Sequence, residues 1–121
     1  MPAASPAAGA RDTVAMADMR RIQGQFRAGR YSISFTHTEI LRERRIRAAD
    51  LERAIATGMV IEDYGDDPRG PSCLVFGRAG RRALHVVCAC LDEDEFLVVT
   101  AYEPSPEEWE SDLRTRKRRR E

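Results

Sequence analysis

Apolar and polar positions change rhythm partway along this chain. From Val60 to Tyr102 the apolar residues fall in four short runs, V-I-E-D-Y, C-L-V-F-G, A-L-H-V-V-C-A-C and F-L-V-V-T-A-Y, divided by clusters of Gly, Pro and Asp. Runs of this kind between turn-forming residues predict strands. The links Arg78–Arg81 and Asp92–Glu95 are short enough for hairpin loops, so the last three strands are expected to form an antiparallel meander. Before Val60 the period is helical. Ala15, Met19, Ile22 and Phe26 make one apolar stripe, with Asp12 or Thr13 to cap the helix and Gly29 to end it. Tyr31–Phe35 alternates, as a short strand or an extended lead-in would. A second helix is expected from Thr36, capped by Thr36 or Thr38, through Arg45. A third is expected over Ala48–Thr57, where Leu51, Ala54 and Ile55 share a face and Gly58 stands at the C-cap. Beyond the strands, Ser105-Pro106-Glu107-Glu108 has the order of cap, N1 proline and acidic first turn, predicting a short terminal helix anchored by Trp109. The expected class is α+β: N-terminal helices packed on a four-stranded antiparallel sheet, with a short C-terminal helix.

The length of 121 residues suits one domain with one core. The Ala/Pro-rich start, residues 1–11, is expected to be disordered, residues 12–113 to form the domain, and residues 114–121 a basic tail. Formal net charge is zero, but the charges are segregated. Residues 1–60 carry 10 basic and 6 acidic groups, residues 61–113 carry 4 and 13, and residues 114–121 carry 6 and 1. A basic helical half beside an acidic sheet half implies polarised surfaces, not uniform attraction to nucleic acid. Arg supplies 19 of the 20 basic residues. Because Arg stays protonated and is a poor proton shuttle, acid–base work would fall to His, Tyr or carboxylates. No run approaches a membrane span, and the start lacks a signal-peptide pattern. Three cysteines, Cys73, Cys88 and Cys90, on strands fit reduced thiols in a cytoplasmic protein.

The ordered string S-F-T-H-T-E-I-L-R-E-R-R-I-R-A-A-D-L-E-R-A-I-A-T-G, I-E-D-Y-G-D-D-P-R-G-P-S-C-L-V-F-G, L-H-V-V-C and T-A-Y-E-P-S-P-E-E-W resembles domain-of-unknown-function family 4258, over roughly Met19 to Trp109. Members of that family resemble small ribonuclease-like toxins of the RelE type, some beside zinc-finger antitoxins with paired Cys-x-x-Cys motifs. The resemblance implies helices on one antiparallel sheet, metal-independent RNA cleavage, and an antitoxin partner of zinc-finger or transcription-factor-like kind. His37 matches the family's histidine at the start of the second helix, and Arg44 and Ile46 match its Glu-Arg-Gly-Ile segment. The chain departs from the pattern with Arg45 where Gly is usual and Arg47 where a capping Ser is usual. Those departures leave open either a tight turn between the helices or a continuous bent helix.

Cleaving RNA without a metal needs a base, an acid and cations for the charged phosphorane. The catalytic candidates are His37, His85 and Tyr102; the RNA-binding candidates are Arg44, Arg45, Arg69 and Arg81. Helical spacing puts His37, Leu41 and Arg44/Arg45 on one face. His85 stands mid-strand in register with Ala83, Val87 and Ala89, whose small side chains would leave a shallow floor for a stacked base. No cofactor or metal site is expected: Cys88 and Cys90 face away from His85 on their strand, and no Cys-x-x-Cys exists. Two readings follow. One is a toxin-like endoribonuclease of a toxin–antitoxin system. The other is a non-catalytic protein- or RNA-binding module on the same fold, with both histidines structural.

Overall fold

The computed structural model of the chain describes residues 19–65, 71–92 and 95–117. The first helix, α1, is described over residues 19–27. It ends at Gly29 (φ 77°), where Gly29 N–H bonds Phe26 O and Arg30 N–H bonds Gln25 O, closing the last turn. Strand β1 (Tyr31–Ile33) follows, then a 3₁₀ turn (Phe35–His37), helix α2 (Thr38–Glu43) and helix α3 (Ala48–Ala56). Four strands complete the chain order: β2 (Met59–Tyr64), β3 (Ser72–Ala79), β4 (Arg82–Asp92) and β5 (Glu95–Tyr102).

The sheet has five strands in the order β1-β5-β4-β3-β2 and is mixed, not the expected four antiparallel strands. The meander β3-β4-β5 is antiparallel and β2 adds antiparallel to β3. The extra strand is β1, which pairs parallel with β5 through Tyr31↔Phe96, Ser32↔Leu97 and Ile33↔Val98. Three residues give too short an alternation to identify a strand by itself. Its place depends on Tyr31 stacking flat on Phe26 (4.3 Å between ring centroids) and on Ser34 N–H reaching Val98 O at 2.8 Å.

Helices cover one face of the sheet. Ile22 and Phe26 of α1, Leu41 of α2, and Leu51, Ala54 and Ile55 of α3 pack with Val75, Leu84, Val86, Cys88, Phe96, Val98 and Ala101 in one buried cluster. Of the stripe expected on α1, Ile22 and Phe26 are buried and Met19 packs partly buried against the cluster; Leu51, Ala54 and Ile55 of the α3 stripe are all buried. Helix α3 sits so close to β3 that a Cβ on Gly77 would overlap the Ala54 carbonyl. Gly58 does follow the end of α3, yet its φ is not positive. What it supplies is room, because a Cβ there would stand 2.7 Å from both Ala54 O and Val75 Cγ1.

The join between α2 and α3 is a tight turn, not a continuous bent helix. Arg45 adopts φ 59° there, Arg44 N–H bonds Ile40 O, and Ile46 N–H bonds Leu41 O. Arg47 lacks the short side chain of a capping Ser, and the Asp50 carboxylate caps the start of α3 by accepting Arg47 N–H at 2.9 Å.

The expected C-terminal helix is not formed. After one turn, in which Glu108 and Trp109 N–H both bond Ser105 O, the chain doubles back: Trp109 bridges Arg116, and Glu110 N–H bonds Thr115 O. Asp112 overrides the helix-start signals. Its carboxylate accepts Arg114 N–H (2.9 Å), Thr115 N–H (3.0 Å) and the Thr115 hydroxyl (2.9 Å), bending the chain through Leu113 at φ 60°. The described part of the basic tail folds onto the sheet: Arg116 clamps Glu62 and Arg114 Nη1 reaches Met59 Sδ at 3.3 Å. Among the described residues no helix is long and apolar enough to cross a membrane.

Candidate functional site

Two β-bulges build the face opposite the helices. On β5 the pairing steps from Val87↔Thr100 to Cys88↔Val98, so Val99 is an extra residue and the side-chain alternation inverts there. Phe96 and Val98 therefore face the helices, while Thr100 and Tyr102, at the same parity, face away. On β2 the pairing steps from Val60↔Val75 to Glu62↔Leu74. Val60 stays against the main core, and Glu62 and Tyr64 turn to the far face. Both bulges deliver polar groups to the face where β4 carries His85, which pairs Phe76 on one side and Tyr102 on the other.

The 103–117 segment seals the middle of this face. Leu74, His85 and Trp109 are at most 1% exposed yet stand outside the main core cluster, forming a second, smaller core. The His85 ring meets Trp109 edge-on at 4.4 Å, Tyr102 at 5.3 Å and Phe76 at 5.9 Å. Its Nε2 lies 2.7 Å from Leu113 O and its Nδ1 3.4 Å from the Tyr102 hydroxyl. A carbonyl only accepts, so Nε2 carries the proton and donates; neutral His85 then accepts the Tyr102 O–H at Nδ1. Burial pushes the imidazole below its ordinary pKa. The Leu113 carbonyl and the Glu62 carboxylate push back, and the Arg116 charge adds to the lowering. Burial also raises the Tyr102 hydroxyl above its ordinary value.

Beside this core, Glu62 accepts Arg116 Nε at 2.8 Å and Nη2 at 3.2 Å, and also accepts the Tyr64 hydroxyl. Burial alone would raise the Glu62 carboxyl, but those hydrogen bonds outweigh it and the group lies below its ordinary value. Burial, then the Glu62 bond, pushes Tyr64 up to about 12. The Arg116 guanidinium also lies over the Trp109 ring, 4.7 Å from its centroid. Among the described residues every buried side-chain nitrogen and oxygen has a hydrogen-bond partner.

Where the sealed face meets the α2–α3 turn, Arg44, Ile46, Arg82, Tyr102 and Glu103 line an open pocket of about 380 Å³. Arg44 Nη1 donates to Ala101 O at 2.6 Å and lies 3.4 Å from Thr100 Oγ1. Arg82 holds the rim together. Its Nη1 bonds Arg45 O (2.7 Å), its Nη2 bonds Arg44 O (3.1 Å), and its Nε pairs with Glu103 (2.7 Å). A guanidinium has five N–H donors, and these bonds leave some on both arginines for a ligand. Arg82 Nη1 also stands 3.9 Å from the Asp50 carboxylate, so two carboxylates balance the two guanidiniums. What the pocket offers an anion with an aromatic part is their remaining N–H donors beside a phenol.

The residues picked from the sequence are dispersed. Tyr102 and Arg44 meet in the pocket, with His85 in contact behind Tyr102. Arg45 lends its backbone carbonyl to the rim while its side chain is exposed, and Arg81 is exposed in the β3–β4 turn next to Arg82. His37 ends the 3₁₀ turn before α2, its Nδ1 3.4 Å from Thr36 Oγ1, and is not among the groups that meet the His85 ring. The floor expected beside His85 is filled by Trp109. Arg69 lies outside the described residues, as do Asp12, Thr13 and Ala15. Glu103, Glu62, Tyr64 and Arg116 were not singled out; Arg116 and Glu62 are 54 residues apart, and nothing in a local pattern joins them. Among the described residues no three His, Cys, Asp or Glu side chains gather so as to hold a metal ion.

No curated protein and no solved structure matches the chain. Residues 38–103, from the start of α2 through the pocket residue Glu103, match the family model described as Domain of unknown function (DUF4258), and the chain belongs to that family.

Proposed function

We propose that this domain is a non-catalytic RNA-binding module whose binding site is the Arg44–Arg82–Tyr102 pocket. The observation that carries the reading is that pocket: two guanidiniums beside a half-buried tyrosine, open to solvent, with exposed Arg45 and Arg81 next to Arg44 and Arg82 along the chain. Guanidiniums hold phosphate through paired N–H donors, and an aromatic ring gives an unpaired base a stacking surface. A single-stranded segment can supply both groups at once; a duplex keeps its bases stacked inside. Acid–base chemistry is poorly served at the same place. His85 is sealed and neutral, Tyr102 holds its proton more tightly than a free phenol, and His37 is not among the residues that line the pocket.

A second reading keeps the same pocket as the centre of RNA cleavage of the RelE type, within a toxin–antitoxin pair. It is favoured by one observation, the Tyr102 hydroxyl against His85 Nδ1, which offers a route for a phenolic proton. One experiment separates the two. A labelled single-stranded RNA is titrated with wild type and with the double variant Arg45→Glu/Arg81→Glu, following anisotropy and running the same samples on a denaturing gel. Binding without new fragments, weakened at least tenfold in the variant, is expected. Fragments that vanish in Tyr102→Phe would replace the first reading with the second. Absence of binding at low salt, or equal binding by Tyr102→Ala, would remove the pocket from both.

A further inference from the structure

The helix-facing side of the sheet carries a feature unrelated to the pocket. Cys73 on β3 and Cys88 on β4 are direct cross-strand partners in an unbroken antiparallel register that runs from Ser72↔Ala89 to Ala79↔Arg82. Directly opposed residues stand about 4.5–5.5 Å apart at Cα, inside the span of about 4.4–6.8 Å that a disulfide requires. Both side chains lie on one face: Cys88 belongs to the main core and Cys73 packs against it. Both are thiols in this structure.

We propose that Cys73 and Cys88 are a modification site at which a low-molecular-weight disulfide drives formation of a cross-strand protein disulfide. The difference in burial sets the order of events. Cys88 is 1% exposed, whereas Cys73 is only partly covered and is the sulfur an external reagent can reach. The Cys73 thiolate attacks one sulfur of the reagent, the reagent's S–S bond breaks, and one small thiolate leaves. Cys88 then gives up its proton and attacks Cys73 Sγ, expelling the second small thiolate. Two protein thiols are oxidised to one disulfide, and the reagent is reduced to two thiols that take up the two protons.

The second step sets the rate. Burial holds the Cys88 thiol well above its ordinary pKa, so little thiolate is present at neutral pH. On the other side of Cys73 the register places Asp63 of β2, whose carboxylate is exposed. The raised Cys88 thiol makes the reaction slow at neutral pH and faster in mild alkali.

The test is to incubate the native full-length chain with glutathione disulfide in mild alkali, alkylate at intervals, and map the products by intact mass and tandem mass spectrometry. Trypsin cuts after Arg78, Arg81 and Arg82 and so separates the two cysteines. A glutathione adduct on Cys73 is expected first. It should be followed by a chain two hydrogens lighter than the reduced one, with a Cys73–Cys88 linked peptide. Cys90→Ser should give the same product, and Cys88→Ser should stop at the adduct. A Cys73–Cys90 or Cys88–Cys90 link in the wild type would overturn the proposal. So would a Cys73 adduct that persists for a day, or a chain that stays fully reduced.

Discussion

Arg45 is the residue at which sequence and backbone disagree most openly. An L-residue at φ 59° carries about 1–2 kcal/mol of steric cost that glycine avoids, while glycine gives back part of this through its greater freedom in the unfolded chain. Arg45→Gly is therefore expected to stabilise the domain by about 0.5–1 kcal/mol, read as a higher urea midpoint at unchanged m-value. His85 makes a different prediction, about pH. Its folded-state pKa is depressed, chiefly by burial, so the folded chain holds it neutral where the unfolded chain would protonate it. The groups around it are Glu62, Arg116 and Tyr102. The stability this provides is complete above the unfolded value of about 6.5 and is lost as pH falls below it. Thermal midpoints of wild type should drop between pH 7.5 and 5.5. In His85→Gln, which keeps a donor for Leu113 O but no titrating ring, that drop should shrink. Glu62, also depressed, loses its contribution only at lower pH, in and below the carboxylate range. An equal drop in both proteins would assign the acid sensitivity elsewhere.

At the scale of elements, close approach and bulges decide more than propensity does. The α3 backbone rests on β3 at Gly77, and a methyl there would have to displace the Ala54 carbonyl. Gly77→Ala should cost about 1–3 kcal/mol, the range for overpacking, while Gly24→Ala, with nothing within 4 Å of the added carbon, should not. Chemical denaturation of the two variants side by side checks this. Periodicity made the helical stripes, the Gly29 stop and the β3-β4-β5 meander legible, because each rests on local alternation or on turn residues. The bulges at Val99 and between Val60 and Glu62 were not, since an extra residue leaves no mark in composition. Simple alternation would have set Tyr102 on the same face as Phe96 and Val98. With the bulge it faces His85 instead, and the candidate site moves from two histidines to a pocket of Arg44, Arg82 and Tyr102. The C-terminal helix was misread for a related reason: the cap, proline and acidic turn are all present, but the Asx turn at Asp112 and the Arg116–Glu62 clamp take the chain back to the sheet.

Taken whole, the molecule is a sheet between two layers, helices on one side and the 103–117 segment on the other. The pocket opens where the α2–α3 turn meets the second layer, so binding there is sensitive to how both are held. Trp109, 1% exposed against His85 and under Arg116, fastens the second layer. Trp109→Ala should cost about 3–5 kcal/mol, as large-to-small changes in a core do. The charge distribution gives the proposed RNA affinity a testable form. The pocket margin and the basic residues after Lys117 are both sources of phosphate attraction, but they differ in kind. A run of arginines attracts any polyanion and releases counterions in proportion, so log K falls with log salt by about 0.7 per single-strand phosphate neutralised. Ending the chain at Lys117 removes Arg118, Arg119 and Arg120. If the pocket carries recognition, the shortened chain should show a shallower salt slope while keeping its preference for single-stranded over double-stranded RNA. Arg45→Glu/Arg81→Glu should lose affinity even at salt concentrations where the tail is screened. Competition titrations at three salt concentrations measure both quantities. A truncation that abolishes the single-strand preference would make the tail, and not the folded pocket, the part of this protein that meets RNA.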